Sequence, residues 1–220
     1  MTVTVIHNWD DGVVEDVRLC ALLRKHRARA AFNLNPGLYT NQRTFGWMDG
    51  DREVIRLGLD ELREVYAGFE IAAHSLTHPW LTRIDEPRLQ SEVRDSKAWL
   101  EDFFQQPVTG FCYPFNDYDG RVLDEVRAAG FQYARGTGPA ETLYPPDDPL
   151  LFHPSCHFLD PAFAERYERA KARGGVFFFW GHSYELRSEA MWESLEQTLA
   201  AITADPDAVW KSPGELFPVG

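Results

Sequence analysis

Short apolar runs alternate along this chain with longer segments in which apolar residues recur at helical spacing. The run Val3–Ile6 opens the pattern, and the segment 16–27 that follows it has the helical spacing. Runs of this length predict strands, and the spacing predicts amphipathic helices. The predicted strands lie at 3–8, 30–35, 69–73, 109–113, 131–134, 150–152, 156–159, 176–180 and 208–210, and the predicted helices at 16–27, 59–66, 86–104, 122–129, 161–172 and 189–203.

Strands that alternate with helices predict βαβ units and a parallel sheet. Seven or eight such units in 220 residues predict an α/β fold, a small barrel that is complete or open, in a single domain spanning 1–220. Two polar segments, 37–58 and 138–149, remain between the units as loops. We expect both to shape the groove in which a ligand binds.

Polar residues with catalytic or metal-binding potential follow three of the predicted strands. Asp10-Asp11-Gly12 comes after the first, His74–His78 after the third, and His182 after the strand 176–180. In a parallel barrel the loops after the strands open on one face, so these groups are expected to converge. One carboxylate and two imidazoles make the protein ligand set of a catalytic divalent metal. The second carboxylate is placed to act as a base.

The first two of these clusters also have simpler explanations. Asp10 and Asp11 could form an Asp-Gly turn that caps the next helix. His74 and His78 could be surface histidines around a turn that ends at Pro79, although their spacing also predicts two imidazoles on one side of a helical turn. The other histidines are predicted to be structural or solvated, and only one of them lies near the expected crevice. They are His7, His26, His153 and, near the crevice, His157.

Charge and composition narrow the possible partners. With 34 acidic and 22 basic residues, the formal net charge is −12, which argues against nucleic acid and, less strongly, against long polyanions. No apolar run reaches 18 residues, so no membrane span is predicted. No leader pattern follows Met1, and we therefore expect a cytoplasmic protein unless a leader has been removed. Three dispersed cysteines form no disulfide framework, as expected in a reducing compartment.

Four motifs in sequence order resemble the polysaccharide deacetylase family, which has the NodB homology domain and forms carbohydrate esterase family 4 (CE4). They are Asn8–Gly12, His74–Pro79, Phe111–Phe115 and Trp180–Ser183, and the similarity runs from about residue 3 to about residue 186. The resemblance implies one NodB-like domain, a distorted (β/α)7-type barrel. It also implies a divalent metal held by Asp11, His74 and His78. Zn²⁺ is the first choice, with Co²⁺, Ni²⁺, Fe²⁺ and Mn²⁺ as alternatives.

The resemblance also implies roles for residues around the metal. Asp10 would be the general base and His182 the general acid that protonates the leaving amine. A backbone N–H near Phe115 would help to hold the oxyanion. Tyr113 and Trp80, which adjoin motif residues, are the aromatic residues expected to contact a sugar ring.

Among the positions that depart from the family pattern, two bear directly on catalysis. Many members have Arg where Cys112 stands, and that arginine is thought to orient the base. Phe115 stands where many members have Tyr, so the backbone N–H is kept and a hydroxyl is lost. Arg135, at the end of the fifth predicted strand, is the candidate to replace the missing arginine.

The function that follows is a metal-dependent hydrolase that removes an acyl group, acetyl in the first instance, from an N-acetylated sugar or oligosaccharide. One alternative keeps the fold and changes the substrate to a non-sugar, formyl or cyclic amide. Another is a degenerate member that binds metal or glycan without turnover. The sequence makes no prediction of the oligomeric state.

Overall fold

The computed structural model describes residues 1–138 and 141–218. Its strands are β1 (Val3–Asp10), β2 (Ala31–Leu34), β3 (Thr44–Asp49), β4 (Arg52–Arg56), β5 (Glu70–Ala73), β6 (Gly110–Cys112), β7 (Tyr133–Arg135), β8 (Cys156–His157), β9 (Val176–Gly181) and β10 (Ala208–Trp210). Its helices are α1 (Asp16–Lys25), α2 (Leu59–Val65), α3 (Glu86–Gln90), α4 (Ser96–Phe104), α5 (Gly120–Ala128), α6 (Phe163–Arg173) and α7 (Glu189–Ala204). In the described ranges no helix combines the length and apolar character that a membrane crossing requires.

Eight strands form one parallel, curled sheet in the order β7-β6-β5-β2-β1-β9-β8, and β10 pairs with the start of β1. The strand β1 lies near the middle, where it pairs along its length with β9 and at its carboxyl end with β2. Within the described residues no ladder joins β7 to β8, so the sheet is a half-barrel that stays open on that side. The α/β barrel class predicted from the alternation of strands and helices is confirmed.

The apolar runs explain why this sheet is buried on both faces. In β9 the side chains of Phe177, Phe178 and Phe179 are at most 1% exposed, as expected for a strand covered by helices on one side and by the barrel interior on the other. Helix α6 packs against β9 through Tyr167 and Ala170. The buried strands therefore hold their carboxyl ends in a rigid frame, and the chemistry-bearing residues follow at those ends.

The predicted helix at 86–104 is continuous in the structure but contains a π-helical turn, Ser91–Asp95, between α3 and α4. A π turn widens the helix and re-aims the side chains it contains. Here it holds Glu92, 3% exposed, where the carboxylate can reach the loop after β5. The turn thus connects the outer helical layer with the candidate site.

Two predicted segments differ from the structure. Residues Pro149–Leu151 form a 3₁₀ turn, so the strand predicted at 150–152 is wrong. The segment 37–58, predicted as a loop, contains the antiparallel hairpin β3–β4. Its turn follows Asp49 with Gly50 at φ +66°, a backbone region that glycine enters without steric cost. A bulge between Phe45 and Trp47 breaks the alternation that would have marked the hairpin.

Candidate active site

The carboxyl ends of β1, β5 and β9 meet at one cavity of about 530 Å³, as the parallel arrangement predicts. The three clusters singled out in the sequence line it together. Its walls are formed by Asp10, Asp11, Leu38, Gly46, Trp47, Arg56, His74, Thr77, His78, Tyr113, Phe115, Asn116, Arg135, Thr137, Trp180, His182 and Tyr184.

Asp11, His74 and His78 offer three potential metal-ligand atoms within 4.8 Å of one another. The Nε2 atom of His78 lies 3.8 Å from Oδ1 of Asp11, and the two imidazole rings stand 4.7 Å apart at an interplanar angle of 79°. One carboxylate and two neutral imidazoles leave room for further ligands, which is the pattern of a catalytic rather than a structural site. The donor set fits a divalent metal.

His74 is prepared for this role by a hydrogen bond on its other nitrogen. Its Nδ1 lies 2.8 Å from the carbonyl oxygen of Cys112, and because a carbonyl only accepts, Nδ1 carries the proton and Nε2 has a free lone pair. Burial lowers the pKa of His74 to about 4, so the ring is neutral at physiological pH. Burial also lowers the pKa of His78. Both imidazoles are therefore in the protonation state that a metal ligand needs.

His74 and His78 do not lie on a helical turn, so that sequence prediction is wrong. The loop after β5 has positive φ at Ser75 (61°) and at His78 (58°), which a helix excludes. The hydroxyl of Ser75 accepts a hydrogen bond from the His78 amide at 3.0 Å, and Glu92 accepts from the Thr77 amide at 2.7 Å. These bonds stabilise the bent loop and bring the two rings together.

Asp11 also has an unusual backbone, with φ at 80°. Its carbonyl oxygen accepts hydrogen bonds from the Tyr39 hydroxyl at 3.2 Å and from Nη1 of Arg56 at 3.1 Å. Gly12 follows at φ 65°, and a Cβ there would collide with the Tyr39 hydroxyl. The chain bends at Asp11 and Gly12, but this segment caps no helix, because α1 begins at Asp16 with Glu15 as its N-cap residue.

Asp10, 2% exposed, is fixed by two side chains from other strands. Asn33 on β2 donates to Oδ1 at 2.6 Å, and Arg135 at the end of β7 forms an ion pair with Oδ2. Burial alone would raise the pKa of Asp10, but the Arg135 guanidinium together with the His74 and His182 imidazoles outweighs burial and holds that pKa well below its ordinary value. The structure therefore places Arg135 where the sequence analysis expected a substitute for the missing arginine. Asn33 was missed.

Cys112 lies beside this carboxylate, with its Sγ 3.9 and 4.0 Å from the two Asp10 oxygens. A second possible metal grouping, Asp10 with His74 and Cys112, arises from that proximity. Burial raises the pKa of the Cys112 thiol well above its ordinary value, so the sulfur stays protonated. A protonated thiol does not ligate a metal as thiolate does, and the grouping with Asp11 is the better ligand set.

His182 approaches both carboxylates from β9. Its Nε2 lies 3.8 Å from Asp10 and 3.9 Å from Asp11, and its Nδ1 lies 3.1 Å from the Glu185 carboxylate. Burial would lower the pKa of His182, but the Glu185 hydrogen bond and the neighbouring carboxylates outweigh it and raise that pKa above 6.5. The imidazole is thus held near the cavity in a form that can donate a proton.

Glu185 was missed in the sequence analysis, although its position three residues after His182 is a capping-box spacing that could have identified it. One oxygen of Glu185 contacts the His182 amide at 3.0 Å, His182 Nδ1, and Nε2 of His157 at 2.9 Å. These partners lower the pKa of Glu185 to about 2, against the effect of burial, which would raise it. His157, the histidine expected near the crevice, therefore reaches the site through Glu185.

The remaining histidines are not part of the candidate metal-ligand set. His7 is fully buried, accepts a hydrogen bond from the Trp9 indole at 2.7 Å and stacks on Phe179 at 4.5 Å. Burial lowers its pKa to about 3. His26 approaches Glu196 at 3.4 Å, and His153 accepts from the Gly138 amide at 3.2 Å. These contacts agree with the structural roles predicted for them.

Trp80 and Tyr113, expected to contact a sugar ring, and Phe115, named for its backbone N–H, occupy different positions. Phe115 and Trp80 stack at 4.4 Å with an interplanar angle of 11°, and the Phe115 ring lies 4.4 Å from that of His78. They are 51% and 40% exposed, so together they form a platform beside the ligand set. Tyr113 is 2% exposed and its hydroxyl donates to the Leu150 carbonyl, so only its ring contributes to the cavity wall.

Both polar segments were predicted to shape the groove, but only one of them lines the cavity. The segment 37–58 lines the cavity through Leu38, Gly46, Trp47 and Arg56. Of the segment 138–149, Pro139 and Ala140 lie outside the described residues, and none of its described residues lines the cavity.

Comparison with known proteins yields one family. Residues 3–134 match the family described as polysaccharide deacetylase, a match that ends before His182. YxkH, a protein of Bacillus subtilis (strain 168) named for the polysaccharide deacetylases, is 31% identical over 72 residues, which is 33% of this chain and 26% of YxkH. The matched segment therefore spans about a quarter of that relative's length.

Solved structures share the fold at low sequence identity. A family 4 carbohydrate esterase from Bacillus anthracis is 15% identical, with a TM-score of 0.65 over 98% of this chain and 82% of that one. A CE4 family pseudoenzyme from the same organism is 14% identical, with a TM-score of 0.63 over 99% of this chain and 66% of that one. At these identities the likeness establishes the fold and leaves activity to be argued from the site.

Proposed function

The chain belongs to the polysaccharide deacetylase family, and from that premise we propose that it hydrolyses the acyl amide of an N-acetylated sugar or oligosaccharide. The observation that carries the proposal is the convergence of Asp11, His74 and His78 at one cavity with two further titratable groups, Asp10 and His182, beside them. Amide hydrolysis needs an activated water, a stabilised oxyanion and a protonated leaving amine. The cavity offers a group for each requirement.

Asp11, His74 and His78 would hold a divalent metal, Zn²⁺ in the first instance. When bound, such an ion polarises the acyl carbonyl and makes a water molecule more acidic. The hydrogen bonds behind the ligands support this assignment, because they fix the His74 tautomer and the loop that carries His78. The same partners make the ligand set rigid before any ion is bound.

Asp10 would accept the proton of the attacking water. A base must be ionised, and the ion pair with Arg135 together with the Asn33 hydrogen bond keeps this carboxylate ionised and oriented. Arg135 thus supplies from β7 the cation that many family members have at the position of Cys112. This substitution weakens the case for a degenerate member, which the altered Cys112 had suggested.

His182 would donate a proton to the leaving amine, which is a poor leaving group in its unprotonated form. Its Nδ1 bonds to Glu185, so Nε2 is the atom directed toward Asp10 and Asp11. A raised pKa favours the protonated imidazolium that such a step needs. Acid and base therefore approach the same point from different strands.

The aromatic platform of Trp80 and Phe115 is suited to a sugar ring, because pyranose faces stack on exposed aromatic side chains. A cavity of about 530 Å³ fits a small sugar or one unit of an oligosaccharide. The backbone N–H of Phe115 remains our candidate for the oxyanion donor. Its φ of 55° is strained for a phenylalanine, and strained backbone of this kind concentrates at functional sites.

The test is elemental analysis of the purified protein together with acetate release from a panel of N-acetyl sugars, before and after chelation. We expect near-stoichiometric metal and acetate release that chelation abolishes and added metal restores. H78A should lose both metal and activity, whereas D10N should keep the metal and lose activity. H26A is the matched control. His26 contacts Glu196 rather than the cavity, so this variant should keep both the metal and the activity.

Other outcomes separate the alternatives. Metal without acetate release, combined with release of formate or opening of a cyclic amide, would favour a different amide substrate on the same fold. Metal without turnover of any amide would favour a metal- or glycan-binding member. Activity that survives exhaustive chelation would overturn the metal-dependent reaction.

A further inference from the structure

The hairpin β3–β4 forms one wall of the cavity and presents a buried cation to it. Arg56, at the end of β4, is 8% exposed, and its guanidinium lies over the Trp47 ring at 4.9 Å. Trp47 in turn contacts Tyr184 edge-on at 5.2 Å, and the Tyr184 ring lies 4.9 Å from that of His182. All four of these side chains line the cavity.

Arg56 has no acidic partner in the described part of the chain. The one hydrogen bond given by its side chain to the described residues runs from Nη1 to the Asp11 carbonyl at 3.1 Å, and no aspartate or glutamate among residues 1–138 and 141–218 forms an ion pair with it. The other buried arginine of the cavity, Arg135, is neutralised by Asp10. Buried arginines are almost always paired, so an unpaired one beside a cavity points to an anion from outside.

Arg56 lines the cavity, and its side-chain nitrogens without a hydrogen-bond partner remain accessible to solvent. None of its nitrogens is both buried and unsatisfied, in contrast to Nε of Arg135. A guanidinium has five N–H donors in a planar fork, which suits the two oxygens of a carboxylate or phosphate. Because Nη1 already bonds to the backbone of Asp11, the fork lies directly beside the proposed metal ligands.

We propose that Arg56, backed by Trp47, is a subsite for one anionic group, a carboxylate or phosphate, on the sugar whose amide is cleaved. The proposal rests on the proposed function and narrows its substrate class to short acidic sugars. It agrees with the net charge of −12, since the far field of the protein repels a long polyanion while a local guanidinium recognises a single charge. The aromatic wall provides an apolar surface for the ring that carries the charge.

The experiment measures binding to the metal-loaded H182Q variant, which separates recognition from turnover and leaves the Arg135–Asp10 pair intact. Calorimetry would compare N-acetylglucosamine with N-acetylmuramic acid, which adds a carboxylate, and with N-acetylglucosamine 6-phosphate. We expect at least one acidic sugar to bind about 10- to 100-fold more tightly than the neutral one, the range of a charge-assisted bond. R56Q should abolish that preference, and it should change the affinity for the neutral sugar by no more than about 2-fold.

R43Q is the matched control. Arg43 precedes the same hairpin and pairs with Glu61 at the surface, so R43Q removes the same charge from outside the cavity and should keep the preference. R56K retains the charge without the fork and should give an intermediate preference. Metal content is measured for every variant, because a preference caused by anions ligating the metal would persist in R56Q.

Equal affinity of the neutral and acidic sugars in the H182Q protein would overturn the proposal. A uniform loss of affinity in R56Q would also overturn it, because Arg56 would then only hold the Asp11 backbone. If no sugar releases acetate from the unmodified enzyme while the acidic preference persists and depends on Arg56, the proposed reaction fails and the subsite stands.

Discussion

Arg135 and Asp10 form an ion pair inside the half-barrel, where their side chains are 2% and 3% exposed, although 125 positions separate them in the chain. The pair joins the carboxyl end of the central strand β1 to that of β7 at the open side of the sheet. It serves two purposes at once, because it keeps the proposed base ionised and it neutralises a charge that would be costly to bury alone.

Loss of Arg135 should therefore damage both stability and activity. R135Q leaves the Asp10 carboxylate buried without its cation, and we expect it to lower the free energy of unfolding by about 3–5 kcal/mol. We expect kcat to fall by about 100-fold or more, because the proton acceptor is misoriented. Urea denaturation and acetate release measure the two effects.

The control for this variant is R127Q. Arg127 pairs with Asp148 with about half of its side chain exposed, and its loss should cost at most about 1 kcal/mol. Adding D10N to R135Q should recover part of the lost stability by removing the orphaned charge. Equal destabilisation by R135Q and R127Q would contradict a stabilising role for the buried pair.

Glu185 should act on catalysis through His182. E185Q keeps the size of the side chain and removes its charge, so His182 loses the partner that raises its pKa. We expect kcat to fall by about 10- to 100-fold with KM and metal content unchanged. E189Q, which breaks the surface pair with Arg18, should leave kcat unchanged. A rise in KM without a fall in kcat would assign Glu185 to substrate binding instead.

Asp16 gives a pH dependence of stability. It is fully buried and accepts hydrogen bonds from Ser183 and Tyr66, each at 2.6 Å, yet burial raises its pKa from 3.8 to about 7. The folded state thus keeps a proton that the unfolded state releases above pH 3.8. Its contribution to the free energy of unfolding falls by up to about 1.4 kcal/mol per pH unit between these two values.

The D16N variant, which does not titrate at this position, provides the comparison. The difference in unfolding free energy between the unmodified protein and D16N should shrink as pH rises from 4 to 7 and should become constant above that range. Urea denaturation at fixed pH values measures it. A difference that grows with pH would mean that Asp16 is ionised in the folded protein.

A substitution at Gly12 would test the backbone next to the proposed metal ligand Asp11. G12A places a Cβ at φ 65° against the Tyr39 hydroxyl, which donates to the Asp11 carbonyl. We expect a loss of about 1–3 kcal/mol in stability and weaker metal retention. G68A is the control, since Gly68 has φ 85° but a Cβ added there would meet nothing within 4 Å, so this variant carries the backbone cost alone. Identical losses in both variants would exclude the collision as a cause.

Much of the fold, and the meeting of Asp11, His74 and His78 at one cavity, could be predicted from the sequence because both depend on local signals. Buried strands appear as apolar runs, and Asp11, His74 and His78 follow such runs directly. The convergence of these residues then follows from the rule that parallel strands open on one face. Arg135 could be predicted only because the resemblance indicated that an arginine was missing at Cys112.

The residues that were missed act through tertiary contacts that no local pattern contains. Asn33 bonds to Asp10 because β1 and β2 pair in that register, and Glu92 reaches the β5 loop because a π turn re-aims it. Arg56 was missed with its hairpin, because Gly46 and the neighbouring bulge interrupt the alternation of β3. Such contacts depend on register and helix phase, which short segments do not specify.

The proposed acid and the proposed base are positioned by partners at very different distances along the chain. Glu185 lies three residues from His182, so changes elsewhere in the barrel leave the contact between the acid and its partner intact. The base on β1 depends on an arginine on β7, and β2, β5 and β6 lie between these two strands in the sheet. An insertion that shifts β7 would therefore separate Arg135 from Asp10 while leaving the contact between His182 and Glu185 in place.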